Sequence, residues 1–327
     1  AVGAYSDSGN VGAVYILRLN SDGTVKASTK LSSGVNGAPT LGAFDNFGRS
    51  VANLGDLDGD GVSDIAVGAV NDYGPGVLQG AVHILFLNPD GTVKASQKLT
   101  GGSSGMPALP DFGQFGFAVA GIGDLDADGV RDLAVGADGD GTGSSSRGAV
   151  YLLRLNADGT VKSSTVLASG VNGTPTLSDF DKFGRSISSL GDLDGDGLTD
   201  LIVGAPGDST GGLYRGAVHI LRLNSPNSAP TAIALSANTI AENQPSGTAI
   251  GTFTTTDPDA GNTFTYTLVS GVGSADNGSF TISGDTLESN VVFDFETKSS
   301  YAIRVRTTDQ GGQWFEQTFT ITVSDVN

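Results

Sequence analysis

The sequence predicts an all-β chain in two parts: four-stranded repeat units over residues 1–224 and a β-sandwich over residues 231–327, joined by a linker at 225–230. Three observations carry this. Short Val/Ile/Leu runs bounded by Gly, Asn and Asp recur throughout, with no helical periodicity. Two blocks of residues return at a fixed 68-residue spacing. Residues 1–224 hold 24 Asp and no Glu; Asp disfavours helix interiors and favours turns, so this acidity belongs to loops.

The first block opens at Phe47-Gly48, Phe115-Gly116 and Phe183-Gly184, and closes at Val67-Gly68-Ala69, Val135-Gly136-Ala137 and Val203-Gly204-Ala205. The second, Gly-Ala-Val followed by an aromatic residue or His, begins at Gly12, Gly80, Gly148 and Gly216. It runs to an Asp-Gly turn at Asp22-Gly23, Asp90-Gly91 and Asp158-Gly159, a strong hairpin signal between alternating strands. In the second copy the strands are expected near 47–54, 64–69, 80–87 and 92–99. Four strands per unit of this length is the arithmetic of a propeller blade. The stretch accounts for about three and a half blades. In the third strand of the first copy, Val14, Ile16 and Arg18 are expected on one face and Ala13, Tyr15, Leu17 and Leu19 on the other. The small second strand, Ile65-Ala66-Val67-Gly68-Ala69, suits a place where neighbouring backbones approach closely.

Each full repeat carries Asp-x-Asp-x-Asp-Gly-x-x-Asp: Asp56, Asp58, Asp60 and Asp64; Asp124, Asp126, Asp128 and Asp132; Asp192, Asp194, Asp196 and Asp200. Carboxylates at loop positions 1, 3, 5 and 9, with the carbonyls of Val62, Val130 and Leu198 at position 7, can wrap a hard cation. The alternative is a plain solvated turn. Two carboxylates 4–5 Å apart repel by roughly 3–4 kcal/mol at an effective dielectric near 20, which argues for a cation inside. Ca2+ is the expected ion; Mg2+ demands tighter octahedral geometry.

The Phe-Gly opening, the acidic loop and the Val-Gly-Ala close (followed by Pro206 in the last copy) resemble FG-GAP repeats, the calcium-binding blades of integrin α-subunit propellers and of many large bacterial surface proteins. The resemblance covers residues 1–224. It implies seven-bladed propellers, so the chain is expected to be a piece of something larger, or to gain strands from a second copy.

After Asn224 the pattern changes to Thr/Ser alternating with Ile, Val, Phe and Tyr, and seven or so short strands suggest a sandwich. Ala241-Glu242-Asn243, Asp257-Pro258-Asp259, Asp294-Phe295-Glu296, Asp309-Gln310-Gly311-Gly312 and Asp325-Val326-Asn327 resemble a bacterial cadherin-like repeat. That resemblance implies calcium half-sites at the two ends: Glu242, Asp294, Glu296 and Asp325 at one, Asp257, Asp259, Asn262 and Asp309 at the other. The upstream linker offers Asn227 but no Asp.

Composition narrows the function. The formal net charge is −18 with no basic cluster, which excludes phosphate-backbone binding as a main role. No run of 18 apolar residues is present, so no membrane insertion is expected in this segment. Zero cysteine excludes thiol chemistry and a disulfide scaffold. His83 and His219 stand where other copies have Tyr15 and Tyr151, which reads as a shared aromatic slot rather than a zinc or catalytic site. No nucleophile elbow accompanies any Ser. Paired carboxylates of the glycoside-hydrolase kind remain the enzymatic option, although half the Asp residues of the repeats already sit in the loops. Asp140-Gly141-Thr142-Gly143-Ser144 faintly resembles an adhesion-type metal motif and is read as an inter-strand loop. Lys26, Lys94 and Lys162, just after the turns, read as solvated edge charges. The function expected is a non-enzymatic, extracellular, calcium-stabilised adhesion or scaffold segment with a protein or glycan partner; the alternative is a self-associating filament subunit built by strand exchange.

Overall fold

The structure is a computed structural model and describes residues 1–103, 105–141, 145–210, 212, 215–224, 227–259 and 262–326. The chain divides into two compact units, Ala1–Asp194 with Leu198–Asn224, and Gly195–Gly197 with Ser225–Asn327.

The first unit holds fourteen strands among its described residues: β1 (Val2–Ala4), β2 (Ala13–Leu19), β3 (Val25–Ser32), β4 (Phe47–Gly55), β5 (Asp64–Ala69), β6 (Ala81–Leu87), β7 (Val93–Leu99), β8 (Phe115–Gly121), β9 (Leu133–Ala137), β10 (Ala149–Leu155), β11 (Val161–Leu167), β12 (Ser186–Gly191), β13 (Asp200–Ala205) and β14 (Ala217–Leu221). They form antiparallel sheets β1-β2-β3, β4-β5-β6-β7, β8-β9-β10-β11 and β12-β13-β14. The second copy matches its expected strands to within one residue.

Each hairpin between third and fourth strands closes as the Asp-Gly pair dictates. Asn20, Asn88 and Asn156 accept from the N–H of Gly23, Gly91 and Gly159, and Asp22, Asp90 and Asp158 each take a backbone N–H and the hydroxyl of the next Thr. Gly91 has φ 80°, a left-handed conformation that L side chains resist. One register shift follows each turn, a bulge typical of such loops.

Alternation along the third strand is only half of the outcome. In the second copy, β6 is buried at every position. The sheets stack face to face, so both faces of a middle sheet lie against neighbours. Three apolar cores result. One holds Val14, Phe47, Val67 and Leu85, the next Leu54, Ile84, Phe115, Val135 and Leu153, and the third Val150, Phe183, Leu201 and Val203. Successive sheets are stitched by parallel bridges between Gly12 and Phe47, Gly80 and Phe115, and Gly148 and Phe183. The crowding expected of the second strand is real: a Cβ on Gly68 would stand 2.0 Å from the Gly116 carbonyl oxygen of the next sheet. The aromatic slot is also as expected. Phe47 meets His83, Phe115 meets Tyr151 and Phe183 meets His219 edge to face, with centroids 5.4–5.5 Å apart.

The second unit is a sandwich of β15 (Ala232–Leu235), β16 (Thr239–Ala241), β17 (Ala249–Thr256), β18 (Phe264–Leu268), β19 (Phe280–Ser283), β20 (Thr286–Ser289), β21 (Ser300–Asp309) and β22 (Trp314–Ser324). Its sheets are β15-β17-β20-β19 and β16-β22-β21-β18, with β16 parallel to β22 and every other pair antiparallel. Inward residues of both sheets, including Ile233, Phe253, Leu287, Ile303 and Val323, make one core.

Candidate metal centre

The acidic loops join first strand to second in each full repeat. The fourth Asp anchors each of them. Asp64 is fully buried and accepts the N–H of Leu57 in its own loop and of Leu87 at the end of β6, both at 3.0 Å. Asp132 does the same with Leu125 (2.7 Å) and Leu155 (2.9 Å), and Asp200 with Leu193 (2.8 Å) and Leu223 (3.0 Å). Burial pushes the Asp132 carboxyl up to about 6, against the opposing pull of the Leu125 and Leu155 N–H groups, and raises Asp64 by the same cause. The first Asp folds the loop back on itself: Asp56 accepts the N–H of Asp60 and Gly61, and Asp124 those of Asp128 and Gly129.

These constraints bring three of the four carboxylates together. One oxygen from each of Asp56, Asp58 and Asp64 lies within 4.8 Å of the others; so do those of Asp124, Asp126 and Asp132, and of Asp192, Asp194 and Asp200. Asp60, Asp128 and Asp196 stand outside these triads. The side chains of Asp60 and Asp128 turn back to take the N–H of Val62 and Val130; Val62, Val130 and Leu198 follow in the same loops.

The lysine reading needs correction. Lys94 and Lys162 are not plain edge charges. Lys94 Nζ lies 2.7 Å from Asp58 and also pairs with Asp60, while Lys162 Nζ lies 2.7 Å from Asp126 and 2.9 Å from Asp128. The ammonium lowers the Asp60 and Asp128 carboxyls and is itself raised. Lys26 is exposed. In the third loop a more distant cation, Arg222, stands 4.0 Å from Asp194. The 68-residue recurrence of the lysines was a usable signal: a β-strand cation beside three recurring carboxylates has a partner close by.

In the sandwich, Glu242, Glu296 and Asp325 also bring one oxygen each within 4.8 Å. Glu242 is buried and accepts the N–H of Phe295 (3.1 Å) and Val326 (3.2 Å). Asp294 lies outside this triad and binds the N–H and hydroxyl of Thr297. At the other end the carboxylates are dispersed. Asp309 accepts from Asn227 and from the Gln313 N–H, Asp259 from the Ser228 N–H, Asp257 from the Asp259 N–H, and Asn262 from Gln310. No set of three acids forms there among the described residues. Thr142 to Ser144 of the motif after Asp140 lie outside the described residues. Asp140 itself is buried and accepts the Tyr151 hydroxyl at 2.6 Å.

The FG-GAP repeat model matches residues 47–85, 115–153 and 183–221, and the cadherin domain model matches residues 237–324. The chain carries three FG-GAP repeats followed by a cadherin domain. A further model, a β-propeller domain of unknown function, matches residues 1–28. Among curated relatives, the chain is similar to integrin alpha-3 of Cricetulus griseus (32 % identical, covering 61 % of this chain and 17 % of that protein). It is also similar to integrin alpha-5 of Xenopus laevis (34 %, 52 % and 16 %) and integrin alpha-V of Gallus gallus (35 %, 55 % and 16 %). The chain thus spans about a sixth of the length of these relatives. Over 38 % of the chain the human Desmocollin-1 ectodomain is 22 % identical, at a TM-score of 0.26 that carries no argument.

The FG-GAP triads fit a hard divalent cation by donor chemistry. Every converging atom is a carboxylate oxygen, and no imidazole stands among them; oxygen-only sites suit Ca2+ or Mg2+ rather than Zn2+. Such an ion would supply positive charge to three carboxylates that otherwise repel one another.

Proposed function

We propose that this chain is a non-enzymatic, calcium-organised adhesion or scaffold segment of a secreted or cell-surface protein, with a protein or glycan partner. The observation that carries the reading is the threefold recurrence of a convergent carboxylate triad, each with one buried, doubly hydrogen-bonded member. The adhesion families of both regions support it. In this reading Asp56, Asp58 and Asp64, with their counterparts in the next two loops, hold Ca2+; the Val62, Val130 and Leu198 carbonyls complete the shell, and Glu242, Glu296 and Asp325 form a separate half-site. Residues 1–224 and 231–327 then act as separate domains. The test is calorimetric titration of the chelator-stripped chain with calcium. At least three sites are expected, one lost with each of Asp58→Ala, Asp126→Ala and Asp194→Ala. Unchanged stoichiometry in all three variants, or no heat at millimolar calcium, would sink the reading.

The second reading, self-association by strand exchange, draws on β1 and β14, each an outer strand of a three-stranded sheet. It requires sedimentation that depends on protein concentration; a monomer at every concentration ends it.

A further inference from the structure

The loops leading into β4, β8 and β12 each turn an aromatic side chain outward. They run between two buried anchors: Leu41 and Phe47, Leu109 and Phe115, Leu177 and Phe183. The residues between the anchors are Gly42-Ala43-Phe44-Asp45-Asn46, Pro110-Asp111-Phe112-Gly113-Gln114 and Ser178-Asp179-Phe180-Asp181-Lys182. Only the Phe is common to all three. Burial does not account for it: Phe44 is 61 % exposed, Phe112 59 % and Phe180 53 %. Backbone preference does not account for it either. The three have φ of 70°, 61° and 67°, the left-handed region where a Cβ is strained and Gly is the ordinary choice. A large apolar side chain kept three times against backbone preference, and without burial, points to contact with something outside the chain.

The loops also fix these positions. The carbonyl after each Phe accepts an N–H from the loop that follows the second strand of the same sheet: Asp45 from Asn71 (3.2 Å), Gly113 from Gly139 (3.2 Å) and Asp181 from Gly207 (3.0 Å). The N–H groups of Phe112 and Phe180 donate to the carbonyls of Val77 (2.8 Å) and Ser145 (2.9 Å) on the preceding repeat. A Cβ on Gly139 or Gly207 would stand 2.2 or 1.8 Å from the carbonyl oxygen of Phe112 or Phe180. The backbone at these rings is therefore pinned from two sides, which lowers the ordering cost of a contact made there. Repeat equivalence sets the three rings in a row, one sheet spacing apart, roughly 10 Å where sheets stack face to face.

The surroundings select the ligand. Exposed Asp111 and Asp179 precede Phe112 and Phe180, and the partly exposed amides of Asn46 and Gln114 lie two positions after Phe44 and Phe112. One ring per repeat, with carboxylates and amides beside it, matches a sugar: its C–H face stacks on an aromatic ring, and its edge hydroxyls donate and accept hydrogen bonds. Rings at a constant interval match a chain of sugars. The formal net charge of −18 opposes a polyanion.

We propose that Phe44, Phe112 and Phe180 form a stacking row that binds a linear, uncharged polysaccharide. The proposal rests on the partner-binding reading above and names the chemical class of the partner. It does not involve the acidic loops, which follow the other end of β4, β8 and β12.

The test is affinity electrophoresis of the full chain, in calcium-containing buffer, through gels holding xyloglucan, glucomannan or arabinoxylan. Polygalacturonate is the charged control, and flotation with phosphatidylcholine vesicles is the membrane control. Retardation by at least one neutral polymer and by neither control is expected. Phe44→Gly, Phe112→Gly and Phe180→Gly are each expected to weaken binding roughly 3- to 10-fold, and the triple variant to migrate as if no polymer were present. Glycine suits these backbone angles and no buried ring is removed, so the thermal unfolding midpoints are expected not to fall. Migration indifferent to all three neutral polymers, binding retained by the triple variant, or binding to polygalacturonate or vesicles instead overturns the proposal. Midpoints lowered by several degrees in the single variants also overturn it, because the rings would then serve folding. Calcium stoichiometry measured on the same chain reports separately on the calcium reading, so the failure of one is distinguishable from the failure of the other.

Discussion

At the residue scale, the aromatic slot shows how one position serves the same packing with different electrostatics. Tyr151 donates its hydroxyl to buried Asp140, and the residue opposite it on the neighbouring strand is Val166. In the preceding repeat His83 fills the slot and Lys98, opposite it, pairs with buried Asp72 at 2.7 Å. The first repeat has both: Tyr15 and Lys30 each reach Asp7. Burial, with Lys98 adding to it, pushes the His83 imidazole down to about 4. A depressed imidazole means that the unfolded chain takes up the proton first as pH falls. Stability is then full above about pH 6.5 and declines towards pH 4, by about 3 kcal/mol at most. His83→Tyr is expected to flatten this limb. Denaturant midpoints at pH 7 and pH 5 measure it; an equal drop in both proteins would place the acid sensitivity elsewhere. Lys94 offers a second handle. Its ammonium occupies the Asp58 carboxylate that a cation would draw on, so Lys94→Met is expected to tighten calcium at the first loop by about threefold. Calorimetry reads that site against the unaltered second loop, and equal or weaker affinity counts against competition.

At the element scale, the hairpin loop has separable duties for its acids. Asp64 ties the loop to the end of β6 through two buried N–H groups, whereas Asp58 is exposed. Asp64→Ala leaves two buried donors without their acceptor, at about 1–3 kcal/mol each. We expect it to destabilise the repeats even in chelator, while Asp58→Asn lowers stability only when calcium is present. Paired denaturation curves with and without chelator decide this. If Asp64→Ala were harmless in chelator, the anchoring role would be wrong.

At the scale of the whole molecule, the two units should answer calcium differently. Three loop sites with Kd near 10⁻⁴ M in millimolar calcium would each add about 1.4 kcal/mol, so together they are a large part of an ordinary folding free energy. Chelation is therefore expected to lower the unfolding transition of the repeats by several degrees, and that of the sandwich, with one triad among its described residues, by less. Scanning calorimetry separates the two; equal shifts would argue against loop occupancy as the source.

Much of this was legible in the residues alone. The 68-residue recurrence and the Asp-Gly turns determined strand number, hairpin positions and the acidic loops, because turn chemistry and period-2 patterning are local properties of the chain. Family motifs carried the division into repeats and sandwich. Only the tertiary structure decided which acids converge. Asp60 and Asp128 match the loop pattern as well as Asp58 and Asp126 do, yet their side chains turn back to the N–H groups of Val62 and Val130. It also decided that β6 is buried on both faces and that Val218 and Ile220 are exposed although their repeat counterparts are not. Burial depends on which sheet stacks against which, and a strand's own residues read the same whether or not a neighbouring sheet covers them.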